Sequence, residues 1–204
     1  MLLPVPPTPC PLRPDLAAIA AHVRFGSRVL DIGCGDGALM DALQTQMGCD
    51  ARGMELDGQL VERCVSRGLS VVQGDANLDL ANYPDKAFDY AILSQTLQTA
   101  ARPDLMLDEL LRVGRRAFVS FPNFAHWRTR TALLLGGRMP VTRALPVSWY
   151  ETENIHHVTV EDFRDLAKLK GAKVERAWFF ANEKQIGAPA ANWRAEFAVF
   201  ELSR

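Results

Sequence analysis

Asp31-Ile32-Gly33-Cys34-Gly35-Asp36-Gly37 joins an apolar run that begins at Arg28 to a stretch with helical spacing, residues 38–46. Glycines in such a turn let the backbone approach a bound molecule where a Cβ would collide, and the first N–H groups of the following helix face that molecule. Glu55 ends the next apolar run, 20 residues after Gly35. A carboxylate there can accept both hydroxyls of a ribose as charge-assisted hydrogen bonds. Asp75 closes the run after that, where it can face an adenine amino group. A sharp turn with acidic caps would account for an isolated G-x-G. A strand before the turn, a helix after it and acids ending both following strands point instead to a pocket for an adenosine-bearing ligand.

Gly33-x-Gly35-x-x-Ala38 also satisfies the dinucleotide pattern. No second domain remains to carry a hydride acceptor, and an acid before the first glycine together with Gly37 fits a different family. DIGCGDG with Glu55 and Asp75 resembles the S-adenosylmethionine pocket of class I methyltransferases. The resemblance implies a cofactor, S-adenosylmethionine or its product S-adenosylhomocysteine. It places Asp31, Gly33, Cys34, Gly35 and Gly37 near the methionine moiety, Glu55 on the ribose, and Asp75 with Ala76 at the adenine, with Ser94 beside them. It also implies an α/β, Rossmann-like fold: a mostly parallel seven-stranded sheet with helices on both faces and an antiparallel last strand.

Methyl transfer needs an acceptor nucleophile in line with the sulfonium carbon and often a base. After the fourth strand the chain reads Ser94-Gln95-Thr96-Leu97-Gln98, all without charge. The N-P-P-Y motif of amine and amide methyltransferases is absent, and Phe121-Pro122-Asn123 stands at the corresponding strand end. Of His22, His126, His156 and His157, the candidate base is His126, which lies among Phe124, Trp127 and Arg128 just beyond the fifth strand. The residues leave open whether the chain is an enzyme.

The elements that must position these groups alternate. Residues 28–33, 51–56, 70–75, 88–95 and 117–122 read as strands, with helices at 38–46 and 58–68 between the first three and another at 103–114 opened by Pro103. Alternation of this kind builds βαβ units and a parallel sheet. Residues 15–23 read as a short amphipathic helix with Asp15 as its cap, and 159–171 as a helix running from Thr159 to Gly171. Two closing strands, 173–181 and 196–203, pair as a hairpin across a polar turn region at 182–193. Six prolines fall in residues 1–14, an extended leader before a single methyltransferase-like domain at 15–204. Residues 123–157 form an inserted, irregular segment. It carries Trp127, Trp149 and Tyr150 with Arg128, Arg130, Arg138 and Arg143, and no acid before Glu151. That composition suits a partner or substrate surface; the other reading is a lid with its tryptophans in the core.

The 23 Lys and Arg balance 24 Asp and Glu for a net charge of −1, so no nucleic-acid partner is expected. No apolar run is long enough to span a membrane, and no secretory signal is expected. Cys10, Cys34, Cys49 and Cys64 form no C-x-x-C pair, and no metal site is expected; a reduced, cytoplasmic protein follows.

Three stretches narrow the family: RVLDIGCGDG at 28–37, QGDANLDLANYPDKAFDYAILSQTLQ at 73–98, and SFPNFAHWRTRTALLLGGRMPVTRALPVSWYETENIHHVT at 120–159. Across about residues 28–180 the chain resembles the MetW family of methionine biosynthesis proteins. The resemblance implies a role in methionine synthesis with homoserine O-acetyltransferase, MetX, as partner. The function expected is an accessory or regulatory one that binds S-adenosylmethionine; the alternative is an active methyltransferase on a small acceptor.

Overall fold

A computed structural model describes residues 12–142 and 145–204. Residues 1–11 of the proline-rich leader, with Cys10, and Arg143 lie outside the described residues. The strands are β1 Arg28–Ile32, β2 Asp50–Glu55, β3 Ser70–Gln73, β4 Phe88–Ser94, β5 Gly114–Pro122, β6 Lys173–Ala181, β7 Lys184–Ile186 and β8 Phe197–Ser203. The helices are α1 Pro14–Ala20, α2 Ala38–Met47, α3 Gly58–Ser66, α4 Ala76–Asp79, α5 Pro103–Val113, α6 Trp127–Gly136, α7 Val160–Leu169 and α8 Ala191–Arg194.

All eight strands join one sheet in the order β3-β2-β1-β4-β5-β8-β6-β7. The first five pair in parallel. β8 runs antiparallel between β5 and β6. β1, β4 and β5 are largely buried on both sides because helices cover both faces of the sheet's centre. Leu30, Ile32, Ala91, Leu93, Val119 and Phe121 pack into one core layer with α5 and α7. Val29, Tyr90, Ile92 and Phe118 pack into the other with Ile19 of α1 and Leu39, Met40 and Leu43 of α2.

The strand count is eight rather than seven. The extra strand, β7, lies inside 182–193, where only a turn was expected. Asn182 and Glu183 both adopt positive φ, 48° and 64°, which makes a two-residue turn with Ala181 opposite Lys184. The expected pairing of the two closing strands holds, with Lys173 opposite Ser203 and Phe180 opposite Phe197.

Two local expectations are corrected. Asp15 does not cap α1: the helix begins at Pro14, Arg13 occupies the cap position without a side-chain capping bond, and Asp15 is buried in the first turn. The segment 123–157 is not irregular throughout, because α6 occupies part of it. His126 caps α6 and Gly137, at φ 59°, ends it. Its leucines are consecutive, so no apolar stripe announces the helix, and Leu134 and Leu135 stand 82% and 84% exposed.

Candidate functional site

β1 and β4 lie side by side while their connections leave in opposite directions, and crevices in open α/β sheets form at the carboxyl ends of such strands. The glycine turn closes β1 there. The Gly33 and Cys34 N–H groups donate to the Met54 carbonyl at 2.8 and 3.2 Å, tying the turn to β2. Gly33 has φ 70°, and a Cβ on it would stand 2.5 Å from Thr96 Oγ1. Gly35 has φ 58°, and a Cβ there would project into open space. Gly37 caps α2 at φ 76°. All three positions lie in the left-handed region that glycine enters without strain.

Glu55 reaches back over the turn. Its Oε2 accepts from Gly35 N–H at 2.8 Å, and its Oε1 from the N–H groups of Leu56 and Asp57 at 2.9 and 3.1 Å. Asp75 lies two residues beyond β3 rather than on it and caps α4; its Oδ1 accepts from Asn77 N and Nδ2 at 2.9 and 2.8 Å. Glu55, Asp75 and Ala76 line one cavity of about 450 Å³ with Gly33, Thr96, Met106 and Glu153.

A second cavity, also about 450 Å³, is lined by Asp31, Gly33, Cys34, Gly35 and Ser94 together with Leu12, Arg13 and Leu16. Asp31 is buried, and its Oδ1 has no hydrogen-bond partner among the described residues. Burial, aided by the charge of Glu55 and opposed by that of Arg13, pushes its carboxyl up to about 7. Burial and the charge of Asp31 likewise push the Cys34 thiol upward, so this sulfur is a packing atom rather than a nucleophile.

The groups that sequence reasoning missed come from α1 and β5. Asp15 Oδ2 accepts from Ser120 Oγ at 3.0 Å, Ser94 Oγ at 3.2 Å and Gln95 Nε2 at 3.3 Å. Arg13 forks onto the same carboxylate. Gln95 holds a positive φ of 52°, uncommon for a side-chain-bearing residue, while its N–H donates to the Ser120 carbonyl at 2.9 Å. Arg13, Asp15 and Gln95 also line a third cavity of about 250 Å³ with Pro122, Pro146, Glu183, Glu196 and Phe197. Its carboxylates come from sequence positions far from the glycine turn, and no local motif marks them. His126 is absent from the lining of these three cavities. It is buried, accepts from Arg128 N–H at 3.4 Å as a helix cap, and burial pushes its ring below the ordinary histidine range.

The strand order, the glycine turn and the acids at the ends of β2 and β3 define the class I S-adenosylmethionine-dependent methyltransferase fold. A solved structure of an S-adenosylmethionine-dependent methyltransferase from Archaeoglobus fulgidus superposes with TM-score 0.70 over 93% of this chain and 91% of its own, at 16% identity. Another, from Mesorhizobium loti, gives 0.69 over 94% and 98%, at 17% identity. The family model described as "Methionine biosynthesis protein MetW" matches residues 13–202, and the chain belongs to that family. The bifunctional methionine biosynthesis protein MetXA/MetW of Rhodopirellula baltica is 34% identical over 172 residues, 80% of this chain and 28% of that protein. A ubiquinone biosynthesis O-methyltransferase of Xylella fastidiosa is 34% identical over 131 residues, 59% of this chain and 51% of its own length. The chain thus spans a quarter to half of these relatives. No helix among the described residues is long and apolar enough to cross a membrane.

Proposed function

We propose that this chain binds S-adenosylmethionine or S-adenosylhomocysteine in the crevice. We further propose that it serves methionine biosynthesis in the cytoplasm as an accessory or regulatory partner of MetX, the homoserine O-acetyltransferase. The observation that carries the ligand reading is Asp31 Oδ1, a buried acceptor left without a partner among the described residues and set beside the glycine turn. A buried polar atom of this kind calls for a donor, and an ammonium supplies one. Open space over Gly35 and the carboxylates of Glu55 and Asp75 suit the rest of such a ligand, with Ala76 lining the Glu55 cavity and Ser94 the Asp31 cavity. When bound, S-adenosylmethionine supplies an electrophilic methyl group; the residues around it bind and orient.

The partner reading is supported by family membership, by the relative whose name joins MetXA to MetW, and by the surface of residues 127–150. Trp149 and Tyr150 are 74% and 70% exposed and pack edge to face. Exposed aromatics at this level favour an interface over a buried lid. The test is co-purification with the cognate homoserine O-acetyltransferase, then its acetyl-transfer rate with and without this protein and with S-adenosylmethionine. Absence of both association and any rate change overturns the accessory role.

Methyl transfer to a small acceptor is the second reading. The cavity bearing Asp15, Glu183 and Glu196 beside the crevice favours it, since carboxylates can orient or deprotonate an acceptor. Radiolabelled methyl transfer to a pathway metabolite, lost in Glu55→Ala, would establish it.

A further inference from the structure

A fourth cavity, of about 570 Å³, opens at the amino-terminal ends of β1, β4 and β5, the end of the sheet away from the glycine turn. Among the described residues that line it, Arg24, Arg115 and Arg116 are cationic and Asp89 is the one acid. Arg24 comes from the turn before β1, and the other two from the start of β5. Asp89 is already met twice: its Oδ2 accepts from Arg28 N–H at 2.9 Å, and its Oδ1 lies 3.7 Å from Arg115 Nε. Glu201 anchors Arg116, accepting from its Nη1 at 2.6 Å, and is shared with Arg176 Nε at 2.6 Å. The Nε and Nη2 groups of Arg116 and the whole Arg24 guanidinium make no hydrogen bond to a described residue.

Two hydroxyls face the same space. Tyr90 is the register partner of Arg116 and stacks on Phe118 at 5.7 Å, which fixes its ring. Tyr90 and Ser27 are 4% and 8% exposed, and neither hydroxyl bonds to a described residue. Nearly buried hydroxyls call for partners, and guanidinium forks match the oxygens of an oxyanion. Donors reaching in from the turn at 24–27, from β4 and from β5 suit a tetrahedral group with four oxygens better than a planar carboxylate with two. We infer that this cavity binds a phosphate group, free or carried on a small organic molecule. Phe25, 78% exposed, also lines the cavity and offers a flat apolar face to such a molecule. The site stands independently of the cofactor reading.

The experiment titrates inorganic phosphate and uridine 5′-monophosphate calorimetrically into the full chain. The expected result is one-site binding of the phosphate group, weakened about tenfold or more in Arg24→Gln/Arg115→Gln. Melting temperatures show whether each variant is folded. Should that variant not fold, Tyr90→Phe serves, since it keeps the ring and removes only the hydroxyl, with a smaller loss expected. Tighter binding of the monoester that is lost in Phe25→Ala identifies an organic phosphate; equal affinities identify the free ion. Arg52→Gln/Arg63→Gln removes the same charge from residues outside the cavity and should leave affinity within about twofold of wild type. A wild type that binds neither compound overturns the inference. So does an equal loss in the Arg52→Gln/Arg63→Gln control, or an affinity unchanged in the folded cavity variants.

Discussion

Asp31 couples the site to pH. Its folded-state carboxyl titrates near 7, above the ordinary value of 3.8. Between those values the folded state holds a proton that the unfolded chain has released, so this group's contribution to stability falls as pH rises through the window. A ligand ammonium needs the ionised form, and the dependence of binding has the opposite sign. Affinity for S-adenosylhomocysteine is expected to rise from about pH 5.5 to about pH 8 and then level off. Asp31→Asn should flatten that profile and weaken binding throughout. Calorimetry across the range checks both, and a flat wild-type profile argues against an ammonium at Asp31. Glu55 carries a different load. Glu55→Ala removes a ribose acceptor and also releases the Gly35, Leu56 and Asp57 N–H groups, so it should weaken binding on the order of a hundredfold. Asp75→Asn keeps the acceptor that caps α4 and should cost less.

α6 and the chain after it separate the arginines that the sequence presents as one set. Arg130 donates to the Ala125 carbonyl at 2.6 Å and lies over the Trp193 ring, so it holds the segment to the domain. Arg128 lies over the exposed Trp127 ring, on the surface that suits a partner. Replacing Arg128 and Arg138 by Gln should therefore loosen MetX association, most visibly at low salt, with melting temperature and ligand affinity unchanged. Trp149→Ala should do the same, as a residue this exposed contributes little to the core; a drop in melting temperature without loss of association would return it to the lid. Legibility followed the range of the signals. The parallel strands and α2, α3, α5 and α7 follow from apolar runs, turn glycines and caps such as Thr159, all local. The ends of β1 and β2 are equally local, which is why Gly33, Gly35 and Glu55 could be singled out. α6 lacked a stripe, and Asp15 resembled a cap because its partners, Ser94 and Ser120, lie 79 and 105 residues away. β7 was hidden because its turn, Asn182-Glu183, lacks glycine.

At the scale of the whole molecule, one aromatic cluster locks the carboxyl-terminal half to the parallel half. Phe200 of β8 is fully buried and meets Phe121, Phe163 and Phe179 at ring separations of 5.8, 4.7 and 5.9 Å. Phe200→Ala should cost ~3–5 kcal/mol and lower the melting temperature by on the order of 10 °C in a chain of this size. Thermal melts measure it, and a shift of under a few degrees would mean the cluster collapses around the gap. The place of β8 between β5 and β6 also bears on how the protein is made. A ribosome releases β5 and β6 before β8, so the growing chain carries two strand edges that wait for β8. Until it slots between them, the β5 edge is open to pairing with another chain. Stalled nascent chains ending before Phe197 should therefore be cut by protease within β6 and retained by chaperones, whereas chains released with β8 intact should resist both.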